Sequence, residues 1–281
     1  MTVAARCGRA SPGGTASGAR SRTIVLEQLD LTGKAIDLSG RKAMVVGAEH
    51  PAAGAIARAY AAAGADVALC VLTADDAVLR ARAVRRDIEA MGRRAIEYVM
   101  DVTLGKNVEV TTRQVVKELG GLDIVASAPD LFLARPIARI TNSELARVLA
   151  VNFSSQFFVV RAVVEEFRRA RRPGRIVLVT SVLGERAVAD VTAYAAAHGA
   201  VRSLVRAAAL EVAGEGITVN AIALGWMEGM DGRIDPDDPH AQRAGRPEDV
   251  GPLAVYLSSE TAAGDVTGQV FTIDGGLPPH Q

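Results

Sequence analysis

Short runs of apolar, often β-branched residues alternate along this chain with longer helical stretches, and that alternation restricts the fold more than any other feature. The first run, residues 43–47, reads A-M-V-V-G; a turn and a helical pattern follow to Gly64, and 65–72 is a second run. Helical patterns then cover 75–91, 106–119, a long stretch within 142–172, 192–213 and 246–259. Strand patterns fall between them at 95–99, 122–128, 175–180 and 217–222, with a last one at 269–273. A strand, a helix and another strand make a right-handed βαβ unit. Its repetition predicts an α/β domain: a doubly wound parallel sheet with helices on both faces.

The chain has 281 residues, enough for one large domain with a buried core. Its formal net charge is zero and aromatics make up 4% of it, so neither a polyanion nor a base-stacking surface is indicated, and nucleic acid is not expected as a partner. No apolar run reads as reaching the roughly 18–20 residues that span a bilayer, so no membrane partner is expected. The two cysteines, Cys7 and Cys70, form no disulfide framework and suit a reducing cytoplasm. The first 26 residues hold four arginines, no acidic residue and many Gly, Ser and Ala, which reads as a disordered tail. Two similar phrases follow, D30-L-T-G-K34 and D37-L-S-G-R41. The second is the expected entry to the domain, giving a tail and arm over 1–36 and a domain over 37–281.

The chemistry is expected where the 175–180 strand ends in Ser181 and the next helix opens at Tyr194, thirteen residues on. A hydroxyl at a strand end and a phenol at a helix start can reach one substrate oxygen, the hydroxyl polarising it and the phenol exchanging a proton with it. His198 stands one helical turn beyond Tyr194 on the same face. His50 is expected across the same cleft, and nothing around it has metal-ligand spacing.

This stretch resembles the active-site strand and helix of the short-chain dehydrogenase/reductase family, whose pattern is Ser followed by Tyr-x-x-x-Lys. The resemblance extends over about residues 37–276 and implies a single-domain Rossmann-type fold. It implies that Tyr194 is the general acid or base, that Ser181 holds the substrate oxygen and that Asn152 anchors a water. It also places His198 where the family's Lys binds the nicotinamide ribose and lowers the Tyr pKa. A unit charge about 5 Å away at an effective dielectric near 20 is worth roughly 3 kcal/mol. His, with an unperturbed pKa near 6.5, is mostly neutral at pH 7.5, which predicts a weaker base in Tyr194.

The same resemblance locates the contacts for NAD or NADP at Gly47, His50, Ala52, Leu72, Asp101, Val102, Ala128 and Gly225. Several of these positions depart from the family. Its T-G-x-x-x-G-x-G reads V46-G-A-E-H-P-A-A53, so Pro51 and Ala53 stand where two glycines should be. Pro51 removes an N–H and cannot take a positive φ, and Glu49 adds negative charge at a phosphate site. Val71 and Leu72 stand where an Asp or an Arg would read the adenosine ribose. N-N-A-G becomes S127-A-P-D130, and P-G-x-x-x-T becomes L224-G-W-M-E-G229. D101-V102 keeps the family's adenine-contacting pair. The loop over 227–245 is short and polar, with Asp231, Asp235, Asp237 and Asp238, where the family carries an apolar cover.

These features imply an oxidoreductase interconverting a carbonyl and an alcohol on a small substrate, with weakened or atypical nicotinamide binding. Two other readings share the scaffold: a non-redox enzyme using Ser181 and Tyr194, and a catalytically silent subunit paired with an active relative. The stretch 267–276 belongs to a region through which the family assembles, which implies a homo-oligomer or a hetero-oligomer.

Overall fold

A computed structural model of the chain describes residues 36–73, 76–186, 188–229 and 244–276. The expectations for residues 1–35 and for the loop acids Asp231, Asp235, Asp237 and Asp238 lie outside the described residues. Within them the chain alternates strands and helices, in the order β1 (Lys42–Val46), α1 (Pro51–Ala62), β2 (Asp66–Val71), α2 (Asp76–Ala90), β3 (Ala95–Val99), α3 (Gly105–Leu119) and β4 (Ile124–Ser127). It continues with α4 (Asn142–Leu149), α5 (Ser155–Ala170), β5 (Gly174–Ser181), α6 (Thr192–Val212), β6 (Ile217–Leu224), α7 (Gly251–Ser258), α8 (Glu260–Ala263) and β7 (Val270–Ile273). The seven strands form one parallel sheet in the order β3-β2-β1-β4-β5-β6-β7.

Successive strand residues point to opposite faces, and each face has its own core. Ala43 and Val45 of β1 join Ile56 and Tyr60 of α1, Val84 and Ile88 of α2, and Leu257 of α7. Met44 and Val46 join Val108 and Val115 of α3, Val163 and Phe167 of α5, and Val201 and Val205 of α6. The continuous apolar strands of the sequence are therefore strands covered on both sides, the expected signature of a parallel sheet.

Three features differ from the sequence expectation. The long helix within 142–172 is two helices joined by a π-helical turn over Ala150–Ser154, where the Ser155 amide donates to the Ala150 carbonyl five residues back. The helix expected over 246–259 opens as a 3-10 turn at Pro247–Val250, because Pro247 can only begin a helix, and the Arg246 amide is held by the Asp249 carboxylate at 3.0 Å. The run Asn142–Ala170 also proves long and apolar enough over an 18-residue window to cross a bilayer, against the expectation that none was. Half of that window is buried inside the protein, so here the run serves as core.

Gln156, fully buried on α5, ties the site edge together. Its amide nitrogen donates to the Ser127 carbonyl at the end of β4, 3.3 Å away, and to the Val179 carbonyl of β5, 3.1 Å away. Gln156→Leu keeps the bulk and leaves both carbonyls buried without this donor. It is expected to lower unfolding stability by about 1–3 kcal/mol, read from urea denaturation midpoints.

Candidate active site

In a parallel sheet every strand delivers its carboxyl end to the same edge, and a crevice opens where neighbouring connections leave in opposite directions. Here that place lies between β1 and β4. Gly47 turns the chain out of β1 with φ +78°, a conformation that suits glycine. A Cβ at Gly47 would stand 2.7 Å from the Ala128 carbonyl oxygen, so the two strand ends approach more closely than any side chain allows. The amides of Gly47 and Ala48 both donate to the Cys70 carbonyl of β2, at 2.8 and 3.0 Å.

The residues expected to hold a dinucleotide have mostly found other partners. Pro51 is the first residue of α1, where a missing N–H costs the helix nothing, but that N–H is then unavailable to a phosphate. The Leu72 amide, beside the expected ribose site, donates to the Glu49 carboxylate at 3.2 Å. Asp101 accepts from the Thr103 amide at 2.9 Å and the Thr103 hydroxyl at 2.6 Å, the bonding of a strand-end turn. Ala52 and Val102 are buried in the core. The Ala128 amide donates to Val46 and the Gly225 amide to Ile273, both at 2.9 Å, so each is committed to the sheet edge.

The catalytic candidates do meet. Ser181, Tyr194, His198 and His50 line one small cavity with Thr180, Ala128, Pro129 and Asp130. Its volume is about 10 Å³, close to what a single water needs. Tyr194 donates its hydroxyl to Asp130 Oδ1 at 2.8 Å, and His198 Nε2 stands 3.5 Å from the same oxygen. The Tyr194 and His198 rings lie 4.3 Å apart between centroids, and Thr180 Oγ1 lies 3.0 Å from His198 Nδ1. Ser181 Oγ accepts from the Leu183 amide at 3.2 Å, leaving its own proton for another acceptor.

Asn152 does not line this cavity. Placed by the π-helical turn, its side chain makes a closed pair with Leu131, accepting from the amide at 2.8 Å and donating to the carbonyl at 3.0 Å. The expected water anchor is therefore, through its side chain, a clamp on the backbone next to Asp130.

Asp130 is the residue the sequence reading missed. It stands where the family carries a glycine, and the visible signal was a carboxylate within S127-A-P-D130. Its connection to Tyr194, 64 residues away, depends on the sheet order. Burial alone would raise the Asp130 pKa, but His198, with smaller help from His50 and Tyr194, holds it below the usual carboxylate value. Burial and the Asp130 charge push the Tyr194 phenol well above its ordinary value, and Ser181 opposes them weakly. The arrangement keeps Tyr194 protonated as a donor.

Taken together, these residues do not fit NAD or NADP in the family's manner: the Asp130 carboxylate holds the Tyr194 hydroxyl, the Glu49 carboxylate holds the Leu72 amide, and the cavity that Asp130 shares with Ser181, Tyr194 and His198 has room for about one water. Nor, among the described residues, do three His, Cys, Asp or Glu side chains converge as metal ligands.

Residues 47–278 match a family model described as enoyl-(acyl carrier protein) reductase. The chain is 32% identical over 253 residues to a short-chain dehydrogenase/reductase of Armillaria gallica, covering 85% of this chain and 96% of that one. It is 30% identical to the L-2,3-butanediol dehydrogenase of Corynebacterium glutamicum, over 84% of this chain and 97% of the relative. Among solved structures, a dehydrogenase/reductase from Sinorhizobium meliloti superposes with a TM-score of 0.79 at 31% identity, covering 87% of this chain and 98% of that one. A blue fluorescent protein from a metagenomic library, solved in complex with NADPH, gives 0.78 at 28% identity, over 86% and 100%. The chain belongs to the short-chain dehydrogenase/reductase family of oxidoreductases.

The two shifted groups define a pH profile. Asp130 has a folded pKa below its unfolded value, so its contribution to stability is present above about pH 4 and is lost as the pH falls through the depressed value. Tyr194 has a raised folded pKa, so its contribution is full below about pH 10 and is lost as the pH rises beyond. Melting temperature against pH is expected to fall off at both ends. Asp130→Asn should flatten the acid limb, and Tyr194→Phe the alkaline one.

Proposed function

We propose that this chain is an oxidoreductase of the carbonyl–alcohol couple on a small substrate, and that it holds NAD or NADP only weakly. The observation that carries the reading is the shared cavity of Ser181 and Tyr194 at the carboxyl edge of a sheet built as in the family. Relatives named as dehydrogenases of a diol and of sugar alcohols support the couple. In this reading Ser181, whose oxygen accepts from the Leu183 amide, donates its own hydroxyl proton to the substrate oxygen. Tyr194 exchanges a proton with that oxygen once its hydroxyl leaves Asp130. Weak cofactor binding follows from Glu49, Pro51 and Asp130, each of which removes or opposes a contact at the dinucleotide crevice.

A second reading has its own support. The bond from Tyr194 to Asp130 occupies the donor that catalysis needs, as suits a silent subunit assembled with an active relative.

Thermal midpoints with about 1 mM of each nicotinamide cofactor separate these readings. A dissociation constant near 1 mM predicts about 0.4 kcal/mol of added stability and a rise of roughly 1–2 °C, whereas one near 10 μM predicts about 2.7 kcal/mol and roughly 5–10 °C. The small rise with one cofactor, together with reduction or oxidation of a small carbonyl or alcohol that Tyr194→Phe abolishes, is the expected result. No turnover at saturating cofactor would leave the silent subunit.

A further inference from the structure

We propose that Asp130 is the residue that decides nicotinamide binding in this chain: its side chain is a built-in occupant, held by Tyr194 and His198 in the half of the crevice that a nicotinamide would enter. The inference deepens the reading of weak cofactor binding and rests on it. Asp130 lies three residues past the end of β4, next to the β1 turn that Gly47 makes possible, and its side chain projects from the crevice wall toward α6. There it accepts from the Tyr194 hydroxyl at 2.8 Å and faces His198 Nε2 at 3.5 Å. Both rings are 3% exposed, so the pairings lie inside the protein.

The backbone cannot easily carry the carboxylate away. Asn152 grips both the amide and the carbonyl of Leu131, the next residue, and is itself fully buried. Asp130 is thereby fixed from the chain side by Asn152 and from the carboxylate side by Tyr194 and His198. The cavity that Asp130 shares with Tyr194 and His198 is about 10 Å³, room for a water and not for a planar ring. A nicotinamide must displace a charge-assisted hydrogen bond as well as fill space, and such bonds are the strong ones. Glycine here would remove side chain, charge and hydrogen bond together.

The other end of the crevice is closed separately, by Glu49 on the Leu72 amide. The two halves can therefore be probed apart, with NADH reporting both and ADP-ribose reporting only the adenosine half. Isothermal titration of the full chain with each probe would compare wild type, Asp130→Gly and Asp130→Asn. Asp130→Gly is expected to bind NADH about ten- to a hundredfold more tightly than wild type, the range a lost charged hydrogen bond corresponds to, with ADP-ribose affinity changed less than about twofold. Asp130→Asn keeps the bulk and removes the charge, and is expected to gain about threefold or more for NADH alone. Should the glycine variant fail to fold, the asparagine variant decides. NADH binding no tighter in either variant, or an equal gain for ADP-ribose, overturns the proposal. Wild-type affinity for NADH on the order of 10 μM would instead overturn the reading of weak binding, while the ratio of variant to wild type still decides the role of Asp130.

Discussion

Every strand of the sheet runs the same way, and most of what is distinctive in this chain follows from that. A parallel strand cannot be reached by a tight turn, so each connection returns across a face as a helix and both faces are covered. The same constraint gathers all carboxyl ends at one edge. Gly47, Leu72, Asp130, Ser181 and Gly225 are far apart in sequence but each follows or ends a strand, and so they share a crevice. Gly47 and Ala128 mark its floor, where two strand ends close to a distance that only a glycine permits.

Within that crevice the charge beside the phenol is set by the Asp130 carboxylate. A lysine one turn beyond the phenol would favour tyrosinate by about 3 kcal/mol at 5 Å and an effective dielectric near 20. This chain has His198 there and adds the Asp130 carboxylate as hydrogen-bond acceptor, which favours the neutral phenol. The weak nucleotide binding proposed above and a Tyr194 held protonated would thus share one electrostatic origin, the Asp130 carboxylate.

How legible this was in the sequence depended on how local each feature is. The strands were readable because burial on both faces leaves continuous apolar runs, and β3 begins and ends where its pattern does. Ser181, Tyr194 and His198 were readable because a strand end and a helix start fix their spacing along one segment. Asp130 was not, since its partner lies 64 residues on and meets it only through the sheet order β4-β5 and the return of α6. Glu49 read as a charge opposing phosphate, whereas its bond to the Leu72 amide requires knowing that β1 and β2 end side by side. The π-helical turn left no trace in composition, because a five-residue hydrogen bond uses the same residues as a four-residue one.

The π-helical turn limits how the chain can vary in length. Its extra residue over Ala150–Ser154 is what aims the Asn152 amide at Leu131. Deleting one residue there would let α4 and α5 merge into a regular helix, but would swing Asn152 by about 100° around the axis, since each residue advances an α-helix by that angle. The amide would then face away from the segment it grips. Substitutions at neighbouring positions leave the aim intact, so the site tolerates changes of letter at this turn better than changes of length.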